Sequence, residues 1–224
     1  LATVLTAEGK SAEAATATAR LTPADRARLA AGSSPADALR TAAKEAVSHG
    51  DMATAGSKYQ QAVAADPKNP WVRLDYARFL ATRGQAAQGF ATMDPAASGN
   101  TPTAVYAAAV FDNEQHRPAD ALAKLDRVPA AERTPDMATL RADIIVPATI
   151  QRAKMLAASG KAGDAKAQLV ALSRDPAVKP ADRDTIPEAL AALGDPDAAA
   201  ALYRDAAAQS GPAGAKAAVD YAWM

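Results

Sequence analysis

Cysteine is absent from the 224 residues. That excludes disulfides and thiolate metal sites. Histidine occurs twice and aromatic residues make up 4% of the chain, too few aromatics for a core built on large rings. Charge of one sign is missing as well: 25 basic residues balance 25 acidic ones. A neutral chain gives no electrostatic case for a nucleic-acid partner. No apolar run is long enough to cross a bilayer, so no membrane span is expected in this stretch. Neither a glycine-rich phosphate loop nor a nucleophile elbow occurs.

What is present is alanine, which supplies much of the 49% hydrophobic content. Alanine is the best helix former, and its small side chain lets helix axes approach closely. The composition predicts an all-α protein. The segment 36–69 sets its plan. It reads as two short antiparallel helices joined at Gly50-Asp51, with Ala42, Ala43 and Ala46 before the turn and Ala55, Tyr59 and Ala62 on one face after it. Asp66-Pro67 closes the unit, because proline has no N–H and clashes with a preceding helical turn. Small residues around a turn glycine, then Ala, aromatic, Ala and Pro, form the pattern of a 34-residue tetratricopeptide repeat.

Turn glycines recur at Gly9, Gly50, Gly84, Gly160 and Gly194. Gly50 and Gly84 are 34 residues apart, as are Gly160 and Gly194. Between them one turn lacks glycine, and Gln115-His116-Arg117 takes its place ahead of Pro118, which suits a helix start. The expected units are a partial repeat over about 1–31, repeats over 36–69, 70–97 and 102–130, an extra helix or hinge over 135–147, repeats over 148–176 and 180–210, and a truncated repeat over 212–224. Ser34 is the expected N-cap of the 36–69 unit. The helix 86–93 contains Gly89 and is the weakest. Pro147 is expected to kink or divide the segment 135–160. Ala43, Ala55, Ala62, Ala77 and Ala121 are expected at helix crossings. Stacked pairs of this kind coil into a right-handed superhelical solenoid whose first helices line a concave face.

Two local groupings resemble chemistry. Ser48, His49 and Asp51 are adjacent on a helix end and point in different directions, so they read as a solvated turn and not a triad. Asp112, Glu114 and His116 do not share one helical face, and read as a helix end and not a metal site. No catalytic residue, metal or cofactor is assigned. The candidate contacts lie on the expected concave face: Arg40 and Lys44, then Trp71, Leu74 and Arg78, then Tyr106, Val110, Asn113 and Glu114, then Lys154, Asp184 and Glu188. Basic groups come early and acidic ones late. A peptide or acidic helix could dock there, or a glycan stacked on Trp71 or Tyr106. For Trp71 packing between neighbouring repeats is the favoured reading, since buried area dominates aromatic energetics.

The segment 66–89, DPKNPWVRLDYARFLATRGQAAQG, goes beyond a generic repeat. Asp66, Pro67, Asn69, Pro70, Trp71, Val72, Arg73, Asp75, Ala77 and Arg78 match the D-P-x-N-P-W-[VI]-R-x-D-x-A-R signature of the periplasmic repeats of bacterial cellulose synthase operon protein C, and ATMDPAA at 91–97 resembles a further element of that family. VYAAAVFDNEQHRPADALAKLDRVP resembles it too, with Asp120 at the usual acidic position. The resemblance implies a periplasmic array that precedes an outer-membrane β-barrel, here absent, so that the chain is a fragment cut from a longer protein. It implies a non-catalytic scaffold between the inner-membrane synthase and the outer-membrane exit. Implied partners are other synthase subunits or a periplasmic glucanase, and peptidoglycan or glucan besides. An adaptor of another exopolysaccharide or outer-membrane assembly system, or a glycan-binding module, are the other readings.

Overall fold

The computed structural model describes residues 34–94 and 99–208. The expected partial repeat over 1–31 and the truncated one over 212–224 lie outside them. Every regular element among the described residues is helical. The helices are α1 (Pro35–Ser48), α2 (Met52–Ala65), α3 (Pro70–Thr82), α4 (Ala86–Thr92), α5 (Pro102–Glu114), α6 (Pro118–Asp126), α7 (Pro135–Ala158), α8 (Ala162–Ser173), α9 (Thr185–Ala192) and α10 (Pro196–Ala207), with 3-10 turns at Ala130–Glu132 and Pro180–Asp182. The chain divides into two compact units, residues 1–111 and 112–224, and the boundary falls inside α5.

One turn geometry joins the hairpins. Gly50, Gly84, Gly160 and Gly194 have φ between 75° and 81°, and His116 takes the same left-handed conformation at φ 58°. The residue after each reaches back to a carbonyl five residues earlier: Asp51 to Ala46, Gln85 to Leu80, Arg117 to Asp112, Lys161 to Leu156, each at 2.9 Å, and Asp195 to Leu190 at 3.0 Å. This is the Schellman closure, which satisfies the last orphan carbonyls of a helix. Histidine at the third of these turns explains why a search for glycine passes over it.

The starts are as local as the ends. Ser34 caps α1 by accepting from the Asp37 N–H at 3.1 Å. Asp51 caps α2 through Thr54, and Asp195 caps α10 through Ala198. Asn69 caps α3 by accepting from both Trp71 and Val72 N–H, directly before Pro70 at the first helical position. Loss of such a cap costs about 1 kcal/mol.

In the first unit α1 and α2 pack as a hairpin, α3 and α4 as another, and α2 lies against α3. Ala43, Ala55, Ala62 and Ala77 are fully buried at these crossings, as is Ala121 in the second unit. A side chain no larger than methyl is what such close helix contacts admit. Trp71, Leu74, Ala77, Met93, Ala107 and Phe111 form the apolar core of the first unit.

In the second unit α7 packs on both α6 and α8, and α9 on both α8 and α10. Leu125, Met137, Leu169, Ile186 and Leu190 are fully buried there. One expectation is corrected. The segment 135–158 is one helix of 24 residues that runs through Pro147, so the extra helix and the first helix of the next repeat are not separate. Proline removes one hydrogen bond, the one to the Asp143 carbonyl. Asp143 and Pro147 are both exposed, whereas Ile144, Ile145, Val146 and Ala148 are buried. Water can take the freed carbonyl while the apolar face keeps the helix seated. Within the expected repeat over 180–210 the first helix starts only at Thr185, after a 3-10 turn.

Candidate interaction site

Asp75 is 7% exposed and is the centre of an ionic cluster in the first unit. Lys44 Nζ lies 2.6 Å and Arg40 Nε 3.3 Å from its Oδ2, and Arg78 Nη1 lies 3.5 Å from Oδ1. Neither cation approaches Oδ2 with hydrogen-bond geometry, so the attraction there is Coulombic. Arg40 is buried as well, and Asp37 stands 3.7 Å from its guanidinium. Arg40 and Lys44 come from α1, while Asp75 and Arg78 come from α3. The cluster therefore ties the first helices of consecutive repeats. A buried carboxylate is tolerable only when paired, since removing one partner of a buried ion pair leaves an uncompensated charge.

Beneath this cluster lie aromatic rings. Tyr59 is buried against Phe79, with ring centroids 5.3 Å apart, and stacks on Tyr76 at 6.0 Å. Burial, with the Asp75 charge second, pushes the Tyr59 hydroxyl up to about 12. It remains neutral at any physiological pH.

Of the residues predicted from sequence, Arg40, Lys44 and Arg78 are brought together on Asp75. Trp71 and Leu74 are taken up by the core, at 9% and 1% exposure. Trp71 packs edge-on to Tyr106, with centroids 5.9 Å apart. Tyr106 and Val110 are half-buried against the same core. Both spend their apolar area inside the unit: Trp71 packs between repeats, the reading favoured for it, and for Leu74 the expectation of a ligand-facing surface is corrected. Asn113, Glu114, Lys154, Asp184 and Glu188 lie in the second unit. Asn113 and Asp184 are half-buried there, and Glu114, Lys154 and Glu188 are exposed.

The groupings set aside as non-catalytic have structural roles. The Ser48 hydroxyl donates to the Glu45 carbonyl, and Asp51 is the cap of α2, whose N–H bond from Thr54 lowers its carboxyl from the usual range. Asp112 turns inward to Lys124, while Glu114 and His116 are exposed. Burial raises the Asp112 carboxyl, and the Lys124 bond works against that rise.

Most of the 66–89 signature acts within the fold. Asn69 is a cap. Arg73 donates to two carbonyls, Pro67 in the loop before α3 at 2.7 Å and Thr92 at the end of α4 at 3.0 Å. Asp75 gathers the cations, and Ala77 is the crossing. Sequence reasoning missed Asp75 as a hub. Its signal was present in the spacing, since Arg78 follows Asp75 by three residues and Lys44 follows Arg40 by four, both on helix faces. Which two faces would meet was not in the spacing.

The repeated hairpins, the left-handed turns and the alanine crossings define a tetratricopeptide-repeat protein, and the family model described as tetratricopeptide repeat matches residues 46–110. More particularly, the chain is homologous to cellulose synthase operon protein C. It is 33% identical over 167 residues to the protein of that name from Xanthomonas axonopodis pv. citri (strain 306), which is 73% of this chain and 11% of the relative. It is 34% identical over 147 residues to that of Pseudomonas fluorescens (strain SBW25), 64% of this chain and 12% of the relative. It is 34% identical over 119 residues to cellulose synthase 2 operon protein C of Komagataeibacter xylinus, 52% of this chain and 9% of the relative. The matched stretch thus spans about a tenth of each relative's length.

Proposed function

We propose that the chain is a non-catalytic periplasmic scaffold in bacterial cellulose biosynthesis and export, part of a link between the inner-membrane synthase and an outer-membrane exit pore. The observation that supports it is the homology to cellulose synthase operon protein C over 73% of the chain. The architecture agrees with this role. Each helix pair presents a side to its neighbour and leaves the remainder of its surface for partners. Among the described residues no helix is long and apolar enough to cross a membrane, and no group of three or more acidic or histidine side chains is placed to hold a metal. The partners in this reading are other subunits of the cellulose synthase complex. The glycan-binding alternative takes Trp71 and Tyr106 as stacking platforms, and burial of the Trp71 ring counts against it, while Tyr106 is half-buried.

The test is in-cell crosslinking from exposed positions such as Lys154 and Glu188, in the full-length gene product of the source bacterium, followed by identification of the captured proteins. Capture of synthase or export subunits supports the scaffold. Capture of components of a different exopolysaccharide system assigns the chain to that system and overturns the cellulose reading.

A further inference from the structure

Helix α7 is 24 residues long and its neighbour α6 is 9. On α7, Met137, Ile144, Ala148, Gln151 and Met155 fall on one stripe of the helix, and Arg141 lies beside it. Helix α6 is tied across this face near both of its ends. Arg141 Nε donates to Asp126 Oδ1 at 2.8 Å, and the Ala119 N–H donates to Gln151 Oε1 at 3.2 Å. Ile144 and Ala148, between those bonds, are buried, and so is Met137 a turn before them. Helix α6 starts at Pro118, one residue before the Ala119 bond, so it has no turn left to lay over Met155. Met155 lies past Gln151 by about 6 Å along the axis, at a rise of about 1.5 Å per residue. It is 56% exposed, whereas Met93 and Met137 are buried. The apolar stripe of α7 thus overhangs the helix that covers it, and the overhang ends in a thioether.

We propose that Met155 is a modification site, at which a peroxide converts the thioether reversibly to the sulfoxide. Sulfur is the nucleophile. It takes one peroxide oxygen and the O–O bond breaks. The proton on the transferred oxygen passes to the other oxygen, which leaves as water. Sulfur gives up two electrons and the peroxide gains them. At Met155 the peroxide arrives from solvent with no opening of the fold, while Met93 and Met137 react only when their part of the structure opens. A sulfoxide is polar and disrupts a core, but on the overhang it faces water and the packing is kept. What changes is the surface. An apolar side chain next to the exposed Lys154 becomes a hydrogen-bond acceptor, and a reductase can restore it. The site stands apart from the scaffold reading.

The test is hydrogen peroxide on the whole 224-residue chain, native and unfolded in urea, followed by the masses of the tryptic peptides. The 5 methionines fall on separate tryptic peptides, with Met155 on 155–161. In the native chain Met155 should oxidise at least about tenfold faster than Met93 and Met137, because theirs is a reaction of opened states. In urea the three should react at similar rates. A smaller native advantage, or one that persists in urea, would overturn the site, since burial would then not set the rate. The chain oxidised at Met155 should unfold at the same temperature as the parent. A lowered midpoint would mean that the thioether is packed and would overturn the overhang. Reductases for both sulfoxide epimers should return the 155–161 peptide to its parent mass. A product that they leave unreduced would overturn the reversibility.

Discussion

A methyl group built on Gly89 comes within 2.8 Å of Phe111 Cζ and 3.0 Å of the Ala77 carbonyl oxygen. The weakest residue of the shortest helix is therefore a packing requirement. Phe90 adds an edge contact to the same ring, with centroids 5.1 Å apart.

Gly89→Ala should destabilise the protein although it favours the helix. Alanine gains about 1 kcal/mol in propensity over glycine. Overpacking a filled site costs roughly 1–3 kcal/mol, and here one of the two close atoms is backbone. A net loss of about 1 kcal/mol is expected in urea unfolding. Phe111→Leu in the Gly89→Ala background should cost less than Phe111→Leu alone. If the two losses simply add, the contact is not the reason for the glycine.

His116 and Gly50 allow the opposite experiment. Both adopt the left-handed turn, and nothing lies within 4 Å of a Cβ built at Gly50. The cost of a side chain there is one of backbone conformation, roughly 1–2 kcal/mol. His116→Gly should stabilise the protein by about 1 kcal/mol and Gly50→Ala should destabilise it by a similar amount. A destabilising His116→Gly would mean that the imidazole makes a contact worth more than the strain.

Ala55 is fully buried where α1 and α2 cross. Ala55→Leu should overpack that crossing and cost roughly 1–3 kcal/mol. Thermal unfolding measures it, and an unchanged midpoint would mean that the crossing can open without cost.

Asp75→Asn should cost about 3 kcal/mol, because it leaves the buried Arg40 without its main counter-charge. Pairing Asp75→Asn with Arg40→Met should recover part of that loss. Additive losses in the double-mutant cycle would show that the pair is not coupled.

The pH dependence carries an unusual sign. Burial raises the Asp112 carboxyl above 3.8, its ordinary value. The native state then holds that proton to a higher pH than the unfolded chain. Between the two values the native state binds more protons, so this group's contribution falls as pH rises through the window and returns on acidification. Subtracting the stability profile of Asp112→Asn from that of the parent should leave a difference that grows in the parent's favour as pH drops towards 4. A difference of the reverse slope would mean that the Lys124 bond outweighs burial.

The sequence by itself determined the helical hairpins, their turns and their alanine crossings. These depend on neighbours within five or six residues. A left-handed turn closes one hydrogen bond, a cap accepts from residues two or three ahead, and a 3.6-residue period places alanines on one side. Even the turn without glycine was legible, from Pro118 after it. The tertiary structure alone decided what depends on distant partners. Asp75 becomes a hub because α1 and α3 meet, 35 residues apart at Arg40 and Asp75. Gly89 is required because Phe111 arrives over it. Helix α7 runs on through Pro147 because buried Ile144, Ile145, Val146 and Ala148 hold both sides of the proline, which itself lies on the exposed side of the helix. Trp71 already reads in favour of packing, and the ring it packs against, Tyr106, is supplied only by the fold. Periodicity records which face of a helix is apolar, and only packing settles what that face is set against.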